Sequence, residues 1–245
     1  MIILGALSAI GEATAREFAA EGASIVLAGR DPERLGQVAN DLAARGASDV
    51  ITWPVDFTDI EDPNVDIGRM AQALGGSVDV VMLFYGLLGD QERAETEVSE
   101  LRKIISVNFS SAAEWCVAAA GFLERQNHGV LVAISSVAGD RGRKSNYIYG
   151  SAKAGLTVLM EGIAHRLARG EACAVAVKLG FVDTPMTARI PKGGPLWVKP
   201  EYIARRLLVL VGRPSKPIVY MPAVWRPIMG VIRMMPTWIF HRTSF

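Results

Sequence analysis

The 245-residue chain has only two cysteines, Cys116 and Cys173, and three histidines. There is no Cys-x-x-Cys pair and no histidine beside a cysteine, so a metal site is not expected. Both cysteines sit in apolar stretches. They read as buried free thiols of a reducing compartment, which predicts a cytoplasmic protein. No uninterrupted apolar run reaches the roughly 18 residues that a spanning helix needs. The apolar start has no basic flank and is broken by glycine, so it reads as a strand and not a signal peptide. Neither sign of charge dominates: 26 Lys and Arg face 25 Asp and Glu. That balance argues against a nucleic-acid partner held by overall charge. One local imbalance stands out. After Glu201 there is no acidic residue, while Arg205, Arg206, Arg213, Lys216, Arg226, Arg233 and Arg242 follow.

Half the residues are hydrophobic, enough for a large core. Short apolar runs alternate with stretches of helical spacing. Strands are expected at Met1–Ala6, Ser24–Ala28, Val50–Val55, Val78–Phe84, Val130–Ser135, Cys173–Leu179 and Pro217–Tyr220. Helices are expected at Ile10–Glu21, from Asp31-Pro32 to near Gly46, at Asp66–Leu74, Thr96–Gln126, Tyr147–Arg169 and Lys199–Val211. Asp31 is a good cap and Pro32 suits a first turn. Near-continuous Val/Ile/Leu strands alternating with helices imply an α/β fold. The expected form is one Rossmann-type, doubly wound parallel sheet of about seven strands, covered by helices on both faces. The whole chain, 1–245, is expected to form a single domain with an apolar, basic extension over about 222–245. The Gly- and Pro-rich stretch from Thr184 to Val198 reads as a mobile or binding loop.

The first strand-to-helix turn reads Gly5-Ala6-Leu7-Ser8-Ala9-Ile10-Gly11. A helix start offers unpaired N–H groups and a partial positive charge, which suit a pyrophosphate. Gly5, Leu7, Ser8, Ala9, Ile10 and Gly11 are therefore candidate dinucleotide contacts. Gly29 stands where an acid would bind a ribose hydroxyl, and Arg30 follows. A guanidinium there suits a 2′-phosphate, so NADP(H) is favoured over NAD(H). Asp56, after the third strand, is a candidate acceptor for an adenine amino group or a turn residue.

Tyr149 and Lys153 lie four apart at the start of a long helix, on one face and one turn apart. Ser136 ends the preceding strand, at the sheet edge where ligands bind. Carbonyl reduction develops negative charge on oxygen and then needs a proton. Ser136 can donate a hydrogen bond to it and Tyr149 can give the proton. An ammonium about 5 Å away, worth roughly 3 kcal/mol, would lower the phenol's pKa. Lys153 is the expected source. Asn108 is expected to hold a water linking Lys153 to solvent.

Together these residues resemble the short-chain dehydrogenase/reductase family over nearly the whole chain. Asn108, Ser136, Tyr149 and Lys153 match its tetrad. Val182-Asp183-Thr184 resembles the segment in which the Thr binds the nicotinamide carboxamide, so the resemblance implies that role for Thr184, helped by the Val182 backbone. Three departures from the pattern stand out. Leu4 and Ala9 replace a Thr and a Gly, Leu83-Phe84-Tyr85-Gly86 replaces Asn-Asn-Ala-Gly, and Leu179-Gly180 replaces Pro-Gly. Gly86 keeps its place among the implied cofactor contacts. The segments Tyr85–Asp90, Gly139–Lys144 and Met221–Trp225 further resemble reductases acting on decaprenylphosphoryl-2-keto-ribose. That resemblance implies a keto-sugar on a lipid phosphate.

Arg141, Arg143 and Lys144 form a basic cluster that suits a substrate phosphate or a solvated loop. Val224–Phe245 mixes Trp225, Ile228, Met229, Trp238 and Ile239 with arginines. That mixture fits peripheral contact with a membrane, or packing on the protein's own core or a partner subunit. Pro227 and Pro236 should divide it into short helices. Small residues over Phe109–Gln126, and the helix Tyr147–Arg169, suit a homodimer or homotetramer. The reading is a carbonyl reductase or alcohol dehydrogenase acting on a small-molecule or lipid-linked carbonyl. A non-catalytic dinucleotide-binding sensor or scaffold is the alternative. A methyltransferase would want an acid at Gly29-Arg30 and leaves Tyr149 and Lys153 without a task.

Overall fold

The structure is a computed structural model and describes residues 1–214 and 216–243. Ser215 lies outside the described residues, as do Ser244 and Phe245 at the end of the expected tail. The strands are β1 (Ile2–Leu4), β2 (Ser24–Gly29), β3 (Asp49–Pro54), β4 (Val80–Leu83), β5 (Val130–Ser136), β6 (Cys173–Leu179), β7 (Phe181–Val182), β8 (Trp197–Val198) and β9 (Ile218–Met221). Seven of them form one sheet in the order β3-β2-β1-β4-β5-β6-β9, with every pairing parallel. β7 and β8 pair separately. The helices are α1 (Ala9–Ala20), α2 (Pro32–Ala44), α3 (Pro63–Ala73), α4 (Gln91–Thr96), α5 (Val98–Ile105), α6 (Ser111–Gln126), α7 (Tyr147–Leu167), α8 (Pro200–Gly212), α9 (Trp225–Met234) and α10 (Thr237–Phe240).

Parallel strands are covered on both faces, so consecutive side chains of β1 serve opposite cores. Ile2 and Leu4 pack with residues of α3, α6 and α7. Ile3 packs with residues of α1, α2 and α8. Each such side chain, fully buried, stabilises the fold by about 1.5–3 kcal/mol. β1 lies between β2 and β4, and this reversal of strand order opens a crevice at the strands' carboxyl ends.

Local signals account for most boundaries. Asp31 accepts a bond from the Arg34 N–H at 3.0 Å and Pro32 opens α2, as expected. Asp62 and Pro63 repeat the device one helix later, so α3 starts before the expected Asp66. The expected helix 96–126 is corrected in three ways. A separate helix, α4, precedes it, capped by Asp90. Extended backbone at Glu97 divides α4 from α5. A π-helical turn over Ser106–Ser110 then divides α5 from α6. The Asn108 amide causes the last break by donating to the Ile104 carbonyl at 2.8 Å, inside the helical ladder. Cys116 is buried as expected, whereas Cys173 is only half-buried.

Candidate active site

The crevice is a groove built from two cavities. One, of about 640 Å³, is bordered by Gly5, Arg30, Asp56 and Thr58. The other, of about 420 Å³, is bordered by Ser136, Tyr149, Lys153, Val182 and Thr184. Leu7, Ser8, Phe84, Tyr85 and Gly86 border both, so the cavities run into each other past the start of α1. Ala9 and Ile10 line the second. Two expected contacts stand behind the wall. Gly11 lines neither cavity, and its N–H donates to Ser8 Oγ at 3.0 Å. Asn108 is fully buried and also lines neither.

Gly5 holds φ +88°, and a Cβ there would stand 2.5 Å from the Tyr85 nitrogen. Glycine is thus required by the turn and by the close approach to the chain after β4. Arg30 is exposed at the mouth of the larger cavity. Asp56 accepts from the Thr58 N–H at 3.0 Å and from its hydroxyl at 2.8 Å, both on Oδ1. Those bonds hold its carboxyl below the usual range, helped by nearby Arg30. Asp56 is therefore a turn residue as well as a groove residue.

At the other end, β5 and α7 are locked together. The Ser135 hydroxyl donates to the Lys153 carbonyl at 3.0 Å and lies 2.8 Å from the Thr157 hydroxyl. This sets Ser136, the next residue, and Tyr149 on the cavity wall. Lys153 is 4% exposed, and its Nζ donates to the Ile134 carbonyl at 3.0 Å. That ammonium lies 5.8 Å from the centre of the Tyr149 ring. Burial lowers its pKa to about 8. The phenol departs from the sequence expectation. Burial pushes Tyr149 up to about 12, against the pull of the Ser136 hydroxyl and the Arg143 charge. Asn108 makes three side-chain hydrogen bonds of its own. Both amide hydrogens are committed to carbonyls, those of Leu87 and Ile104, each at 2.8 Å, and Oδ1 accepts from the Leu87 N–H at 3.1 Å. The side chain ties the segment after β4 to the π turn.

A groove of this shape matches what sequence comparison finds. The sequence profile of the family described as short chain dehydrogenase matches residues 1–194. The chain belongs to the short-chain dehydrogenase/reductase family. An uncharacterized oxidoreductase of Streptomyces coelicolor is 35% identical over 244 residues, covering 99% of this chain and 94% of its own. An uncharacterized oxidoreductase of Mycobacterium tuberculosis is 34% identical over 243 residues, covering 99% and 96%. A short-chain type dehydrogenase/reductase from Mycobacterium ulcerans shares the fold, with a TM-score of 0.79 at 22% identity, over 89% of this chain and 86% of that one. A second solved structure, a short chain dehydrogenase/reductase family protein, has a TM-score of 0.76 at 26% identity, over 89% and 94%. Members of the family are oxidoreductases that bind nicotinamide dinucleotides, and the continuous groove fits such a ligand.

In this short-chain dehydrogenase, the departures from the family pattern have visible replacements. Tyr85 stacks on Phe57, and its hydroxyl lies 2.8 Å from that of Ser111. Ser111 Oγ and Trp115 Nε1 both donate to the Phe57 carbonyl. Aromatic stacking thus joins the chain after β3, the chain after β4, and α6. The isolated motif Leu83-Phe84-Tyr85-Gly86 carried no hint of this, because Phe57 and Trp115 are distant in sequence. Gly180 has a comparable reason: a Cβ there would stand 1.8 Å from the Trp225 indole nitrogen.

The basic trio separates. The Arg141 guanidinium donates to the carbonyls of Ile232 and Met235 and covers the Phe240 ring at 3.9 Å. Lys144 is exposed. Only Arg143 lines the cavity. The expected loop 184–198 contains a short 3-10 turn, Pro185–Thr187, and returns through β8 to pair with β7. The tail has two faces. Trp225, Met229 and Ile232 pack with Val137, Phe181 and Tyr220. Val231, Met234 and Trp238 point outward, Met234 at 79% and Trp238 at 66% exposure. No helix among the described residues is long and apolar enough to cross a membrane.

Proposed function

We propose that this protein is an NADP(H)-dependent reductase of carbonyl groups, with Tyr149 as the proton donor. The observation that carries this reading is one groove with Arg30 at one end and Ser136, Tyr149 and Lys153 at the other. The nicotinamide cofactor supplies the hydride. Gly5, Leu7, Ser8, Ala9 and Ile10 border its path, and the Gly11 N–H, capped by Ser8, braces the turn from behind. Val182 and Thr184 stand at its reactive end. Arg30 has no ion-pair partner among the described residues, which suits a 2′-phosphate. Ser136 donates a hydrogen bond to the substrate oxygen as charge develops there. Tyr149, held protonated by burial, transfers its proton to that oxygen. Lys153 holds the phenol's side of the site in place and carries positive charge beside it. Asn108 braces Gly86 and Leu87 from behind.

For the substrate we propose a lipid-linked keto-sugar. Its support is the outward apolar face of the tail, flanked by exposed Arg226, Arg233 and Arg242. The opposite face of the same helix packs against Phe181, which also borders the cavity, so a bilayer bound to the outward face lies one helix away from the groove. For assembly we propose pairing through α6 and α7, whose Val117 and Val158 are exposed.

The deciding experiment compares wild type with Tyr149→Phe. NADPH should bind both, by fluorescence titration, within about threefold. Turnover of every carbonyl substrate should fall by at least about 100-fold, the usual worth of general acid catalysis. Wild-type turnover in the variant would overturn the assignment.

A further inference from the structure

The cavity around Tyr149 has an unusual charge inventory. Three cations line it, Arg34, Arg143 and Lys153, and not one Asp or Glu does. Two of the three are already engaged. Arg34 pairs with Glu12 at 3.1 Å, and Lys153 donates to the Ile134 carbonyl. Among the described residues the Arg143 side chain has neither an ion pair nor a hydrogen bond, and its Nε is buried without a partner. A neighbour on the same wall, Asn146, has its Oδ1 buried without a partner as well. Leaving a guanidinium partly desolvated and unpaired costs free energy that the fold could avoid by turning the side chain outward, as Lys144 does. Nor is the loop short of a structural arginine, because Arg141 already fills that role against the tail. Burial acts on Arg143 in the expected direction, disfavouring its charge.

We propose that Arg143 is the substrate-anion receptor of this site, and that the substrate carries a carboxylate or phosphate close to the carbonyl that Tyr149 protonates. This proposal rests on the reading of Tyr149 as proton donor. The fork of a guanidinium matches two oxygens of either group and binds them bidentately. In a wall without carboxylates nothing repels such a group. The Asn146 oxygen accepts from a hydroxyl on the same substrate. The anion also orients the carbonyl: with one end held at Arg143, the carbonyl oxygen is presented to Tyr149, whose pKa the same arginine already pulls down. Bound anion weakens that pull and leaves the phenol protonated, as a reduction requires.

The test uses the NADPH complex of the full chain and two matched substrate pairs. Phenylpyruvate is compared with its methyl ester, and dihydroxyacetone phosphate with dihydroxyacetone. The first pair reports a carboxylate, the second a phosphate. In the wild type, kcat/KM for the anionic member of one pair should exceed that of its neutral partner by roughly 10- to 100-fold, the worth of charged hydrogen bonds. In Arg143→Gln that ratio should fall to near one, and Arg143→Lys should restore part of it. The ratio is the readout because both members lose whatever Arg143 gives Tyr149. Circular dichroism of each variant checks the fold. Equal rates within both pairs, or an unchanged ratio in Arg143→Gln, would overturn the proposal. If no member turns over, binding decides. Phenylpyruvate or inorganic phosphate should quench bound NADPH saturably in the wild type and not in Arg143→Gln, and a wild type that binds neither overturns it. Tyr149→Phe separates the two claims, since it should abolish turnover yet keep anion binding. A Tyr149→Phe enzyme that still turns over sinks the proton-donor reading and leaves the anion result to be judged alone.

Discussion

The ring of Tyr85 lies flat on that of Phe57, with centroids 4.3 Å apart and planes 2° from parallel. Trp115 meets Phe57 edge-on at 5.4 Å, so three elements converge on one aromatic cluster beneath the groove. The phenol is buried and its pKa is pushed up by that burial, so it serves as a neutral tie and not an acid. Tyr85→Phe should cost about 1 kcal/mol, since the Ser111 hydroxyl keeps its bond to the Phe57 carbonyl. Tyr85→Ala should cost about 3–5 kcal/mol. Urea denaturation measures both. Only the second should also weaken NADPH binding, because Tyr85 borders both cavities.

Arg30 tests cofactor choice. Arg30→Ala should weaken NADPH binding by roughly tenfold or more, the worth of a charged hydrogen bond to phosphate, and leave NADH binding unchanged. Fluorescence titration of both cofactors reads the difference. Equal losses for the two would remove the 2′-phosphate from its account.

Lys153 makes a prediction about stability and pH. Its folded pKa, about 8, lies below the unfolded value near 10.5, so the folded state gives up its proton first. Such a group contributes stability above the unfolded pKa and loses it as pH falls through the folded one. Wild-type stability relative to Lys153→Met should therefore rise by about 2–3 kcal/mol between pH 7 and pH 10. Thermal unfolding of both proteins across that window checks it. A constant difference would show that the ammonium is not penalised by burial.

Sequence logic located the groove well and its supports poorly, for a physical reason. Gly5, Ser136, Tyr149 and Lys153 announce themselves because backbone turns and helical spacing are local. The Asp31-Pro32 start of α2 is legible on the same ground. What holds those residues is not local. Asn108 is matched by the Leu87 backbone, 21 residues earlier, a contact with no local signature. The basic run 141–144 looked uniform, yet its members part company because Arg141 finds carbonyls about 90 residues further on. The phenol's acidity followed the same rule. The spacing brings Lys153 beside the ring, while burial of the whole wall, opposed by Ser136 and Arg143, pushes the phenol up.

A buried ion pair under the tail gives the last prediction. Lys178 on β6 pairs with Asp140, with side-chain exposures of 8% and 1%. The Tyr220 hydroxyl from β9 donates to the other carboxylate oxygen at 2.9 Å. Burial and that carboxylate push Tyr220 up to about 12. Asp140 thus joins the turn after β5 to two strands, on the floor against which Val137, Tyr220 and Trp225 pack. Removing one partner leaves the other charge buried alone, which costs about 3–5 kcal/mol. Asp140→Leu should show that loss, and so should Lys178→Met. The double variant should recover most of it, since replacing a whole buried pair with apolar groups is close to neutral. A denaturation cycle over the four proteins measures the coupling. If the losses of the two single variants simply add in the double, Asp140 and Lys178 are not a pair in solution, and the tail is held by its apolar contacts and Arg141 alone.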